Sequence, residues 1–346
     1  MLPYLILLAL IIFWIALEHK ALNRRAFWIP WLMLSLFAGM RSFSVGTDSG
    51  NYTKEFRSGL DIYNFRFSET IELGYQLLEY SLLSITKNYF WLFFITALIV
   101  TFCYLKTIKK YSTNYWFSVF LYITLGYYTF FFNGLRQGLA MAIFTIALPF
   151  LLNKKFIPYV LICFIGSLFH TSALFMIPFY FIVNLDVRPI YKIAATFLGS
   201  LLTSRLLVSY VAESNERYEG YTQVSDSAGG YLILSFQVAL VLLIYIVTYV
   251  YKIKDQQFLK LFTFYASGVV FIIPLAMLGT NPSGPQRLLS YFTWTLVLIL
   301  PLIFKKLNNA YAYIIAIVTF LIYFVLTASR FSNLTPYVLN PIFEIF

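Results

Sequence analysis

Asn133-Gly134-Leu135-Arg136-Gln137-Gly138-Leu139-Ala140 stands between two strongly apolar runs, 115–132 and 139–152. A guanidinium at the mouth of a membrane helix is costly and calls for a partner. Gly134, Gly138 and Ala142 recur every four residues, a small-residue face against which another helix packs closely. Arg136 lies about 200° round the helix from Gly134 by the 3.6-residue period. One side therefore packs and the other presents a cation. The simpler reading is an interfacial arginine that snorkels to headgroups. It loses ground if other polar residues fall at the same membrane depth.

The chain as a whole has membrane composition, with 60% hydrophobic and 11% charged residues over 346 positions. Soluble domains carry roughly 25% charged residues. The expected fold is an all-α polytopic membrane protein, one transmembrane domain over 1–346 with about twelve spans of about 20 residues each. Candidate spans are 2–17, 26–40, 91–108, 115–132, 136–152, 156–169, 171–184, 190–209, 231–251, 258–279, 288–304 and 310–327. Segments 156–169 and 171–184 are short for a full crossing. Continuous apolar runs exclude a β-barrel, whose strands alternate. Leu2–Leu17 has no basic leader and no small-residue cleavage site before Glu18, so it reads as a retained span. Cys103 and Cys163 fall inside apolar runs and form no framework. The two histidines, His19 and His170, belong to no zinc-ligand spacing, so neither metal nor cofactor is expected.

The formal charge of +11 follows topology and does not mark a nucleic-acid partner. Fifteen of the 25 basic residues, from Lys20, Arg24 and Arg25 to Lys305 and Lys306, fall in one set of loops with three of the 14 acidic ones. That set is cytoplasmic by the positive-inside rule. The assignment needs Ile71–Thr86 not to cross. Glu72, Gln76 and Glu79 alternate there with Leu73, Leu77, Leu78 and Leu82, which predicts an amphipathic helix near 71–86 lying in the interface. Segments 41–90, 210–230 and 280–287 then face the periplasm, and 210–230 reads as a mobile loop.

On this topology Arg41, Asp48, Arg136, Gln137, His170 and Arg287 share the outer side. Arg136 and Arg287 each begin a helix running inward, the unfavourable dipole end for a cation. An anion between them would meet two guanidinium forks and two sets of backbone N–H groups. His170 closes one helix, and Thr171-Ser172 can cap the next. Tyr127, Tyr128, Phe130, Phe131 and Phe132 are candidates for a sugar-stacking platform.

At these residues the chain resembles a family. Arg41 with Gly46-Thr47-Asp48 and Tyr52, Glu72-Leu-Gly-Tyr75, Asn133-Gly-Leu-Arg-Gln-Gly-Leu-Ala140, His170-Thr-Ser-Ala-Leu174, and Arg287 before Tyr291-Phe292 look like the EpsG family. These are exopolysaccharide proteins akin to Wzy-type O-antigen polymerases. The resemblance implies a GT-C-like glycosyltransferase in the bacterial inner membrane. It would polymerise, at the periplasmic face, repeat units carried on undecaprenyl pyrophosphate. A chain-length co-polymerase is the implied protein partner. Arg136 and Arg287 are then candidates to stabilise the leaving pyrophosphate, with Arg41 in support. His170 or Asp48 would take the acceptor proton, and Tyr52, Glu72, Asn133 and Gln137 would bind substrate. A flippase for lipid-linked oligosaccharide and a membrane O-acyltransferase are the alternatives. The first would spread its cations along a path through the membrane, and the second would want a deep histidine reached from the cytoplasm.

Overall fold

In lipid, apolar backbone satisfies its own polar groups only as helix or closed barrel, and here the apolar runs are helical. The computed structural model describes residues 1–214, 230–279, 284–330 and 333–343. In chain order the helices are α1 Leu2–Leu22, α2 Trp28–Gly39, α3 Ser49–Tyr52, α4 Lys54–Arg57, α5 Leu73–Leu83, α6 Phe90–Tyr111, α7 Tyr115–Thr124, α8 Phe130–Asn133 and α9 Leu135–Thr145. There follow α10 Leu148–Leu152, α11 Phe156–Ser167, α12 Ile177–Asn184, α13 Pro189–Ser214, α14 Tyr231–Val250, α15 Gln256–Met277, α16 Ser290–Thr293, α17 Leu296–Leu307 and α18 Ala310–Arg330. Six of these are long and apolar enough to cross a membrane, and the bent pair Gln286–Thr293 and Leu296–Leu307 makes up to seven. That is fewer than the twelve apolar runs. The others are short or broken, among them α2, α7, α11 and Thr171–Asn184.

The breaks have local causes. The run 115–132 stops at Thr124 because Gly126 takes a left-handed turn, φ 83°. The run 136–152 stops at Thr145. Pro149 can neither donate to that carbonyl nor clear it, and Thr107 Oγ1 donates to the freed oxygen at 3.3 Å. Of the periplasmic segments expected, 215–229 and 280–283 lie outside the described residues, and so does the mobility expected of the first.

The chain divides into two compact units. The first comprises Met1–Leu148, Leu161–Leu174 and Leu307–Phe346. In it α2 packs along α6, α6 along α9, and α1 against α2 and α7. Gly39 makes the α2–α6 approach possible, since a Cβ there would stand 2.9 Å from Phe94 Cβ. Ser35 and Thr101 hydrogen-bond across the same seam at 2.9 Å. Residues 333–343 run back beside the end of α2, where Ser42 N donates to Val338 O and Asn340 N to Met40 O, both at 2.8 Å.

The second unit comprises Pro149–Val160 and Phe175–Lys306. Its centre is α15, against which α12, α13, α14 and α16 pack. The Phe292 ring lies on Gly268, where any Cβ would overlap it. Phe179 and Phe264 close round that ring, at 4.5 and 4.9 Å between centroids.

Candidate functional site

Helix α5 is about 16 Å long at 1.5 Å per residue, too short to cross a hydrocarbon core of about 30 Å. It is amphipathic, with its polar face turned inward. Leu73, Leu77 and Tyr80 are exposed, while Tyr75, Gln76 and Glu79 are buried. That orientation suits a helix whose outer face meets lipid. Its start is pinned to the end of α11. Gly74 N donates to Leu168 O at 2.8 Å, and a Cβ on Gly74 would come within 2.7 Å of the same oxygen. Gln76 fixes the preceding loop through Ser68 N, Ser68 O and Ile71 O.

Glu72 is the N-cap residue of α5, but its carboxylate does not bond its own helix. One oxygen pairs with Arg136 Nη1 and the other accepts from Thr171 N at 3.3 Å. The side chains are 5% and 7% exposed for Arg136 and Glu72, so this is a buried ion pair. Arg136 does start a helix, as the sequence predicts, but its counter-charge is part of the protein. Tyr75 lies 6.0 Å from the guanidinium, and the Tyr52 ring lies 5.9 Å from Tyr75.

Glu79 follows Glu72 by about two turns on the same face of α5. Burial pushes its carboxyl up to about 7, the Glu55 carboxylate adds to the rise, and the Arg136 guanidinium opposes it. The sequence places Glu79 on an amphipathic interfacial helix and does not single it out as a site residue. The signal was present as the spacing of Glu72, Gln76 and Glu79, but not the direction in which that face points.

His170 is half-buried in the turn after α11. Its Nδ1 accepts from Ser172 N at 3.2 Å and lies 2.7 Å from Ser172 Oγ. The expected cap is thus reversed, since the imidazole caps the turn Thr171–Met176. A ring whose Nδ1 accepts a backbone N–H carries its neutral-state proton on Nε2. In that tautomer Nε2 is the donor.

The loop carrying Asp48 is docked on the break before α9. Thr47 N donates to Asn133 Oδ1 at 2.8 Å, and Ser49 Oγ to Phe132 O at 3.0 Å. Gly46, at φ 100°, lets the loop pass Phe132 O, which a Cβ would approach to 2.6 Å. Asp48 turns the chain into α3, its carbonyl accepting from Asn51 N and Tyr52 N. Gln137 is buried on α9 beside Arg136. Gly138, expected to admit another helix, admits the short α8, with a Cβ position 2.4 Å from Phe131 Cβ. Gly166 of α11 faces Ala140, whose carbonyl oxygen a Cβ on Gly166 would approach to 3.3 Å.

Arg41 is fully buried, with Phe93 3.6 Å and Phe132 4.0 Å from its guanidinium carbon. Its Nη1 donates to Ala38 O, while Nε and Nη2 have no hydrogen-bond partner among the described residues. Tyr128, Phe131 and Phe132 are buried around it and offer no open stacking platform. Arg287 belongs to the second unit. It is half-buried in a 3-10 turn, Pro285–Leu289, so no α-helical N-terminus begins at it. Asp48, Tyr52, Glu72, Asn133, Arg136, Gln137 and His170 all belong to the first unit.

Long apolar helices and a buried ion pair held by a short helix define a polytopic helical membrane protein with a polar cluster among its helices. The chain belongs to the EpsG family, whose model matches residues 24–339. Membership places it among exopolysaccharide-related, polymerase-like membrane proteins. No curated protein and no solved structure matches the chain.

Proposed function

We propose that the protein is a polysaccharide polymerase of the bacterial inner membrane. It transfers glycan from an undecaprenyl-pyrophosphate-linked donor onto a lipid-linked repeat unit at the periplasmic face. We read the twelve apolar runs as a GT-C-like helical body in which broken helices line the substrate path. The observation that carries the reading is the cluster Glu72, Arg136 and Glu79, with His170 one residue from Thr171, in a chain of this family.

In the proposed reaction an acceptor hydroxyl attacks the anomeric carbon of the donor. The bond from that carbon to the pyrophosphate oxygen breaks, and undecaprenyl pyrophosphate leaves with the electron pair. Glu79 takes the hydroxyl proton, a carboxylate with its pKa near 7 being matched to that task. Glu72 holds the Arg136 fork in place for the pyrophosphate oxygens, and His170 donates to them through Nε2. Arg41 acts in support by fixing Phe132 and so the loop docked on it. Asn133 and Gln137 position the substrate, with Tyr52 beside them. Among the described residues no three His, Cys, Asp or Glu side chains gather where a metal could bind. We assign the positive charge at the leaving group to guanidinium and propose that the transfer is metal-independent.

The test is turnover of purified full-length protein on lipid-linked repeat units, with and without EDTA. A ladder of products unaffected by chelation is expected, and none from Glu79→Gln. Activity lost on chelation and restored by magnesium would overturn the metal-free mechanism. In a deletion strain, single-repeat glycan on the carrier is expected. Absence of surface glycan would point to a flippase, and full-length polymer lacking acyl groups to an acyltransferase.

A further inference from the structure

The second unit carries a half-open cavity of about 560 Å³ where α12, α13 and α15 meet the chain around Lys154. Its charged lining residues are Lys154, Asp186, Arg188, Lys192 and Lys260, four cations to one carboxylate. Like charges gathered round one cavity repel, more strongly as water is excluded. Lys192 is only 8% exposed, so its ammonium bears a desolvation cost as well. None of the five makes an ion pair among the described residues.

Two of the cations have a structural task. Lys192 Nζ donates to Val183 O at 2.9 Å and Lys260 Nζ to Leu152 O at 2.6 Å, carbonyls at the ends of α12 and α10. Such capping is favourable. It uses one of the three N–H donors each ammonium carries. It also leaves Lys154 and Arg188 unexplained, since their side chains make no hydrogen bond among the described residues. Two fixed and two exposed cations with donors to spare, round a space of roughly the 300–1,000 Å³ of small-ligand sites, fit an anion.

We propose that this cavity binds a phosphate-bearing anion. The chemistry is shared by an anionic lipid headgroup and by free phosphate or pyrophosphate. Basic pockets between membrane helices are suited to the former. The site contains no residue of the Glu72–Arg136 cluster and stands whether or not that cluster polymerises glycan.

The experiment uses full-length protein and two probes, phosphatidylglycerol followed by native mass spectrometry and inorganic pyrophosphate followed by thermal shift. Phosphatidylcholine is the control. Retention of phosphatidylglycerol at least about tenfold above phosphatidylcholine is expected, falling about tenfold or more in a Lys154→Gln/Arg188→Gln double variant. Both positions are exposed, so that variant keeps its fold. Lys192→Gln should weaken binding similarly, and if it fails to fold the double variant decides. Phosphatidylglycerol bound without response to pyrophosphate assigns the site to a headgroup. A stabilising shift with pyrophosphate and no lipid preference assigns it to a soluble anion. If neither probe exceeds the control, or binding survives in the double variant, the lysines are helix caps only and the proposal fails.

Discussion

Glu72, at the N-terminus of α5, and Arg136, the second residue of α9, form a buried ion pair across 64 residues of chain. The pair explains how an arginine is tolerated at a membrane helix start. It also makes each residue's substitution a different experiment. Glu72→Gln leaves a buried cation without its counter-charge and should destabilise the protein by about 3–5 kcal/mol. The double variant Glu72→Leu/Arg136→Met should recover most of that stability yet make no polymer. Arg136→Lys should remain folded, with polymer severely reduced, because the ammonium lacks the fork. Thermal unfolding in detergent and gel analysis of polymer length check all three. Normal polymer from the double variant would make the pair purely structural.

The raised pKa of Glu79 fixes the sign of a pH effect. Its carboxyl titrates near 7 in the folded protein and near 4.5 when unfolded. Between those values the unfolded chain has released the proton and the folded chain retains it. The stability contributed by Glu79 protonation is therefore full below about 4.5 and is lost as pH rises to about 7. Glu79→Gln should flatten this part of the stability profile. As a base, Glu79 works only when ionised, so turnover should rise through pH 7 and be absent in Glu79→Gln. A rising limb that persists in that variant would assign the base elsewhere, with Asp48→Asn the next to examine.

Gly46 tests whether the loop bearing Asp48 must be docked. Alanine there meets both a left-handed φ of 100° and Phe132 O at 2.6 Å. The loop should lift from Asn133 at a cost of about 1–3 kcal/mol. Faster proteolysis within 46–58 is the readout, together with reduced polymer at normal membrane abundance.

Topology is open to cysteine labelling, because both native cysteines are buried. Asn51 and Asn23 are exposed, whereas Ser49 is buried against Phe132 O and would be silent on either side. A cysteine at Asn51 should react with an impermeant reagent in intact spheroplasts, and one at Asn23 only after lysis. The opposite pattern inverts the orientation and moves the cluster to the cytoplasm.

Much of this protein is written locally. Apolar runs with almost no charge must be helices in a membrane, and the basic loops mark one side. The motif residues Glu72, Asn133, Arg136 and His170 could be singled out one by one, because a polar group beside an apolar run is costly wherever it falls. What remained undetermined was pairing and direction. Helical period predicts that Glu72, Gln76 and Glu79 share a face, but not that the face turns inward. That is decided by Gly74 docking on Leu168 and by Arg136 waiting across the seam. Nor does sequence show that Ser172 N donates to His170 Nδ1, or that Phe93 and Phe132 close over Arg41. Charge, hydropathy and period are properties of neighbours in sequence. A side chain's partner, its burial and hence its proton affinity are properties of neighbours in space, and only the packed chain supplies them.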